Sequence, residues 1–285
     1  MIKVAILAYG NIGKYAEEAV MSAPDMALAG IYHHRDDLEA IDADVVLLCT
    51  PTRAVEQFAS FFAQRGICTV DSFDIHNQIY ALRSSLMPLC VANKCVSVIS
   101  AGWDPGSDSM VRALLLALAP KGITYTNFGP GRSMGHTVAA KAIPGVKDAV
   151  SMTIPVGKGV HRREVYVVLE EGAEKERVEA LLKADAYFAS DDTQMIVVDT
   201  LQDIDTLKHG VNIVREGVSS NVPNQHLDFN MTICNPALTA QVMVSAARAA
   251  VRMQQKQQYG AYTMIELPPI ALLPGNEEQL IRQLV

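Results

Sequence analysis

The chain predicts an α/β protein: a doubly wound parallel sheet joined to a second α+β domain with a mixed or antiparallel sheet. Three observations carry that reading. Short, largely apolar runs, among them residues 4–7, 43–49 and Val96–Ile99, alternate with helical segments over the first hundred residues, as buried parallel strands do. From about Lys121 strands follow one another with few helices between them, which suits an antiparallel or mixed sheet. The 285 residues are enough for one large domain or two of ordinary size.

The first strand leads into Ala8-Tyr-Gly-Asn-Ile-Gly13 and then into a helix through Val20. This is the pattern G-x-G-x-x-G with alanine in place of its first glycine. Gly10 lets the backbone approach a pyrophosphate, Gly13 lets helix and strand pack closely, and the helix N-terminus favours negative charge. Tyr9, Gly10, Asn11, Ile12 and Gly13 are therefore candidate dinucleotide contacts, and the first domain reads as Rossmann-type. A second strand at 27–32 ends in His33-His34-Arg35. NAD enzymes usually place a carboxylate about 20 residues after the glycines. Arg35 is a cation there, which suits the 2′-phosphate of NADP, with His33 or His34 adding a contact. Asp36 and Asp37 keep NAD open as the rival.

The third strand ends in Thr50-Pro51-Thr52, a polar loop on the cofactor side. A crossover helix over 58–64 precedes the strand Cys68–Asp71, which runs into Ser72, Phe73 and Asp74, with Asp71, Ser72 and Phe73 as candidate cofactor contacts. A helix over 78–93 leads to Val96–Ile99 and then to Gly102-Trp-Asp-Pro-Gly106, with a helix over 110–118 to follow. Ser107, Asp108 or Ser109 is able to cap that helix. In open α/β sheets ligands bind at the carboxyl ends of the strands. Asp74 and Asp104 are carboxylates at two such ends, with Trp103 as an aromatic wall, a combination suited to an ammonium group. The blander alternative is a sharp turn with Trp103 packed beneath it.

In the second half, strands are expected at 124–128, 148–155, 163–169, 194–198, 211–216 and 227–234. Gly129-Pro-Gly131 reads as a forced turn, and 136–143 and 175–183 as helices. A long Ala-rich helix is expected over 239–257, then an extended segment over 262–267 and a terminal helix over 279–284. The domains expected are 1–102 completed by 236–285, and 103–235 for substrate and dimerisation. His161-Arg162-Arg163 is a candidate carboxylate clamp, since an arginine fork matches a carboxylate; an exposed basic strand start is the alternative. His209 and Asn235 have no motif behind them.

Composition excludes several classes. A net charge of -7 argues against nucleic acid and acidic membranes. No apolar run of about 18 residues suggests a membrane span, and Met1-Ile-Lys-Val enters a strand with no signal peptide. The five cysteines are scattered, as in buried thiols of a reducing cytoplasm, and their spacing suggests no zinc site or other metal.

Together these residues are specific enough to name a likeness. Tyr9-Gly-Asn-Ile-Gly13, Asp71-Ser-Phe-Asp-Ile-His76, Gly102-Trp-Asp-Pro-Gly106, Phe128-Gly-Pro-Gly131, Gly135-His136, Ile143-Pro-Gly-Val146, Asn235-Pro236 and Gly260-Ala-Tyr-Thr263 resemble the meso-diaminopimelate dehydrogenase family nearly end to end. The resemblance implies a cytoplasmic homodimer. It would carry out NADP-dependent oxidative deamination of meso-diaminopimelate at the D-centre, in lysine and diaminopimelate metabolism. It implies that Asp74 and Asp104 hold the reacting amino group between the walls Trp103 and Phe128. Thr153, Arg163, His209 and Asn235 would grip the distal L-centre, with Met152 beside them. The departures are Ala8, His34 where a second arginine is expected, Phe128 where tryptophan is common, and a short 156–160 connection. These keep two alternatives in view: a broader D-amino acid dehydrogenase of the same fold, and a non-catalytic NADP-binding sensor.

Overall fold

The computed structural model describes residues 1–202, 204 and 208–285. In chain order the elements of the first half are β1 (Ile2–Leu7), α1 (Asn11–Ser22), β2 (Met26–Tyr32), β3 (Val45–Leu48), α2 (Val55–Ala63), β4 (Cys68–Asp71), α3 (Ile79–Ala92), β5 (Val96–Ile99) and α4 (Ser107–Leu118). Then come β6 (Lys121–Arg132), α5 (Met134–Lys141), β7 (Val146–Gly157), β8 (Val160–Leu169), α6 (Lys175–Ala184) and β9 (Asp192–Val197). The chain closes with β10 (Lys208–Ser219), β11 (Val222–Cys234), α7 (Asn235–Gln255), β12 (Gly260–Thr263) and α8 (Glu277–Leu284).

Two compact units result, Met1–Ala113 with Pro236–Val285, and Leu114–Asn235. The division falls inside α4 rather than after residue 102, because the helix that follows the Trp103 loop begins in the first unit.

The first unit is an all-parallel sheet in the order β12-β5-β4-β3-β1-β2. Its order reverses between β1 and β3, the switch point at which such sheets bind ligands. Every residue of β3, β4 and β5 is buried. Helices cover both faces, which is why β3 is wholly apolar, while the buried Thr69 of β4 and Ser97 of β5 bond each other at 2.8 Å. Most of α7 is buried through alanines and short aliphatics. Arg248 of α7 is 3% exposed and forks onto Asp25, Nε to Oδ2 at 2.6 Å and Nη2 to Oδ1 at 2.7 Å. That pair ties α7 to the start of β2. The final strand is shorter than expected: after Thr263 a capping box with Glu266 turns the chain into a 3₁₀ segment.

The second unit is a mixed sheet in the order β11-β10-β6-β7-β8-β9. All its neighbours are antiparallel except β8 and β9. Parallel neighbours need a crossover, and α6 supplies it. Ala140, Val178, Leu182, Phe188 and Met195 pack on Ala149, Val165 and Val167 to form the core of this unit. The turn expected at Gly129-Pro-Gly131 is instead strand: β6 runs on to Arg132, with a register shift opposite His209 and Val211. The glycines serve close strand approach there. A Cβ on Gly129 would lie 2.2 Å from the Thr153 carbonyl oxygen, and one on Gly210 would lie 2.5 Å from that of Gly129.

Candidate active site

At the carboxyl end of β1 the chain turns through Ala8, whose φ of 75° is one that glycine adopts more readily. A Cβ on Gly13 would lie 2.4 Å from the Ala8 carbonyl oxygen, so close packing of helix and strand requires glycine there. Gly10 stands at the N-cap of α1, no side chain caps that end, and a Cβ on Gly10 would meet nothing within 4 Å. This open, uncapped helix N-terminus fits the pyrophosphate of a dinucleotide. Tyr9 donates to Glu17, and Asn11 and Ile12 open the helix. His33, His34 and Arg35 are all exposed just after β2, and the His33 amide is engaged by Asp36 at 2.7 Å. Arg35 is thus an accessible cation near the switch point.

The next two strand ends carry the carboxylates. The Thr52 hydroxyl donates to Asp74 Oδ1 at 2.6 Å, linking the loop after β3 to the loop after β4. The Thr50 hydroxyl is buried, Pro51 is exposed, and Ser72 is half-buried. Asp71 is different: it is fully buried, and its Oδ1 accepts the amides of Phe73 at 2.9 Å and Ser100 at 3.0 Å. Burial pushes its pKa up to about 6 in spite of those two amides. Asp71 therefore braces the ends of β4 and β5, and Phe73 packs into the core.

Between β5 and α4 the chain closes a tight loop. The Gly102 amide donates to the Pro105 carbonyl at 3.1 Å, and the Asp108 amide donates to the Trp103 carbonyl at 3.0 Å. Gly106 has φ 147°, and a Cβ there would fall 1.8 Å from the Gly102 carbonyl oxygen. Trp103 is 6% exposed, so much of its ring serves packing. α4 begins at Ser107, three residues before the expected start, so Asp108 lies in its first turn and is not its cap. The Asp104 carboxylate meets Arg112 Nη2 at 3.2 Å, and Arg112 Nη1 lies 2.7 Å from Asp108 Oδ2. Asp108 is fully buried. Burial, and after it a hydrogen bond to the neighbouring Asp104, pushes the Asp108 carboxyl up to about 7. Sequence reading missed Asp108 and Arg112 as partners of Asp104. Their i, i+4 spacing on one helix was the available signal.

In the second unit, cross-strand register sets Thr153 of β7 opposite Arg163 of β8. Arg163 Nη1 donates to the Thr153 hydroxyl, and Nε donates to Asp191 Oδ2 at 2.7 Å. His136 Nε2 stands 3.4 Å from the same Asp191 oxygen, and its ring packs edge-on to Tyr187 and Phe188. Burial, then the Arg163 cation, holds His136 below the usual histidine range, and the same causes act on His161. His161 Nε2 accepts the Phe128 amide at 2.8 Å, with the two rings 6.0 Å apart. Arg162 turns to the other side of the strand and pairs with Glu164. Of the three residues read as a basic clamp, Arg163 alone reaches Thr153.

Alternation along β7 separates Met152 from Thr153: Met152 lines a concavity with Pro130, Ile154, Tyr166 and Thr232, away from the Arg163 fork. His209 Nδ1 lies 2.9 Å from the Gly210 carbonyl, and its ring covers Gly131, where a Cβ would come within 2.6 Å. Asn235 is exposed as the first residue of α7. Asp191 and His136 were missed as partners of Arg163, because no sequence spacing relates residues so far apart in the chain.

Comparison with known proteins matches this arrangement to one family. Residues 102–162 and 156–234 match the diaminopimelic acid dehydrogenase C-terminal domain. The chain is 52% identical over 300 residues to the meso-diaminopimelate D-dehydrogenase of Bacteroides fragilis, covering 100% of this chain and 99% of that protein. It superposes on the Corynebacterium glutamicum DAP dehydrogenase in complex with DAP with a TM-score of 0.84 at 32% identity, covering 100% and 99% of the two chains. An engineered D-amino acid dehydrogenase bound to NADP+ superposes with a TM-score of 0.77 at 31% identity, again covering 100% and 99%. With likeness running the full length of both domains, the chain belongs to the meso-diaminopimelate D-dehydrogenase family.

Proposed function

We propose that the protein catalyses reversible NADP-dependent oxidative deamination of meso-2,6-diaminopimelate at its D-centre, giving L-2-amino-6-oxopimelate and ammonia. The reading is carried by the 52% identity to a relative of that activity, and supported by two arrangements, each within its own unit: the strand-end carboxylates Asp74 and Asp104 in the first, and a built Arg163–Thr153 fork in the second.

Asp74 and Asp104 hold the substrate ammonium by charge-assisted hydrogen bonds, with Trp103 and Phe128 as walls. The amine must lose a proton before the Cα–H bond breaks, and Asp104 accepts it. When bound, the nicotinamide supplies the hydride acceptor for the D-configured carbon. Gly10, Gly13 and the α1 N-terminus hold the pyrophosphate, and Arg35 with His33 or His34 holds the 2′-phosphate. Thr50, Pro51, Thr52 and Ser72 border the same strand ends. Water then hydrolyses the substrate imine to the oxo acid and ammonium. Arg163 and Thr153, with His209 and Asn235, take the distal carboxylate and amine. A site built to hydrogen-bond a group rejects analogues that lack it, which is how one of two chemically alike centres is chosen. The protein works as a homodimer, and its five free thiols suit the cytoplasm.

A broader activity on D-amino acids is the second reading. It is favoured by the likeness to the engineered D-amino acid dehydrogenase and by the tight turn that pairs Gly157 with Val160. The test is NADP+ reduction followed by absorbance with meso-diaminopimelate, the LL isomer, D-alanine and D-lysine, repeated with NAD+. Turnover confined to the meso isomer with NADP+ is the expected result. Turnover of D-alanine and D-lysine supports the broader enzyme, and no turnover with any of them supports a sensor.

A further inference from the structure

Arg163 takes the distal carboxylate in the proposed function, and the role inferred for its neighbours rests on that reading. A guanidinium has five N–H groups in a fixed fork. Among the described contacts Nε goes to Asp191 and Nη1 to Thr153, which commits one edge and one corner of the fork to the protein. The outer Nη edge is left to meet a ligand. Arginine carries several rotatable bonds, so its planar group takes one orientation when a second group fixes its plane. Thr153 cannot do so alone, because one hydroxyl contact leaves the plane free to turn. Asp191 supplies the second point, at 2.7 Å.

Asp191 is itself held. His136 Nε2 faces its Oδ2 at 3.4 Å, and the Ser133 hydroxyl lies 2.9 Å from His136 Nδ1. The His136 ring is packed against Tyr187 at 5.5 Å and Phe188 at 5.3 Å between ring centres. Phe188 belongs to the buried core of the second unit. A continuous set of contacts therefore runs from that core through His136 and Asp191 to the guanidinium. The Asp191 charge opposes the Arg163 charge, which weakens long-range attraction of an anion. The compensation is a fixed fork geometry, the feature that bidentate carboxylate recognition needs.

We propose that Asp191, seated by His136, is a positioning residue that orients Arg163 and so sets selectivity for a substrate with a second carboxylate. Asp191→Asn keeps an oxygen for Nε while removing the charge, and Asp191→Ala removes the anchor. The experiment measures kcat, KM for meso-diaminopimelate, KM for NADP+ and thermal midpoint for the wild type and both variants. It repeats Asp191→Ala in an Arg163→Lys background.

The expected result is a rise in KM for meso-diaminopimelate of roughly ten- to a hundred-fold in Asp191→Ala and a smaller rise in Asp191→Asn. KM for NADP+ and the thermal midpoint of Asp191→Asn stay at wild-type values. In the Arg163→Lys background, removal of Asp191 adds little, because coupled residues do not act additively. An unchanged or lowered KM in Asp191→Ala overturns the proposal, as does a full additive effect in the Arg163→Lys background. A wild type that leaves meso-diaminopimelate untouched removes the parent reading instead, and this proposal with it.

Discussion

Asp108, in the first turn of α4 and wholly buried, shares Arg112 with Asp104 of the preceding loop: Arg112 touches both carboxylates. Burial is the main reason that Asp108 holds its proton, and the adjacent negative charge of Asp104 adds to it. Below its ordinary value of 3.8 the group is protonated in both folded and unfolded chains. Between 3.8 and about 7 the folded chain retains a proton that the unfolded chain has lost. Stability therefore falls as pH rises through that window. Asp108→Asn mimics the protonated form, so it removes this loss. Denaturant melts of wild type and variant at intervals from about pH 4.5 to about pH 7.5 should diverge, with the variant gaining relative to wild type as pH rises. Parallel curves would show that Asp108 titrates elsewhere.

Asp104→Asn should lower kcat by about a hundred- to ten-thousand-fold, the usual range for a residue that accepts a proton in the reacting step. KM for NADP+ should stay near its wild-type value. Steady-state kinetics at saturating cofactor check this, and a kcat within a factor of about three of wild type would assign proton acceptance to another group.

Arg163→Ala should raise KM for meso-diaminopimelate steeply, by on the order of a hundred-fold, since it leaves a carboxylate without its charge-assisted partner. Substrate titrations decide the matter, and an unchanged KM removes Arg163 from the grip on the distal centre.

Arg35→Ala should raise KM for NADP+ by roughly ten-fold and leave KM for NAD+ unaltered, because NAD+ has no 2′-phosphate to lose. Equal changes for both cofactors would mean that Arg35 acts through the fold of the loop after β2.

Gly106→Ala should destabilise the protein by about 3 kcal/mol or more. Its φ of 147° is strained for any residue with a Cβ, and that atom would fall 1.8 Å from the Gly102 carbonyl oxygen. Thermal melts report the loss. A variant as stable as wild type would show that the Trp103 loop yields without cost.

The parallel sheet was legible because strands buried on both faces are largely apolar and alternate with helices, and Val96–Ile99 and Cys68–Asp71 have the same bounds in sequence and structure. Gly13 was legible because its close approach to the Ala8 carbonyl leaves no room for another residue type. The Gly129-Pro-Gly131 segment misled, since the residues that favour a turn also permit the close approach of neighbouring strands. Asp71 and Phe73 show another limit: their place at a strand end is local information, but their burial depends on what the rest of the chain packs above them.

By itself, then, the sequence determined the alternation of strand and helix, the glycine-bound turn after β1, and the placing of Asp74 and Asp104 at strand ends. These follow from periodicity and backbone sterics within a few residues. Tertiary structure decided which groups surround them. Asp108 and Arg112 beside Asp104 follow from the early start of α4. Asp191 and His136 beside Arg163 meet only when distant elements pack around one core. Charge and hydrogen bonding act through space over a few ångströms, so the environment of each carboxylate and guanidinium is written by the fold and not by neighbours in the chain.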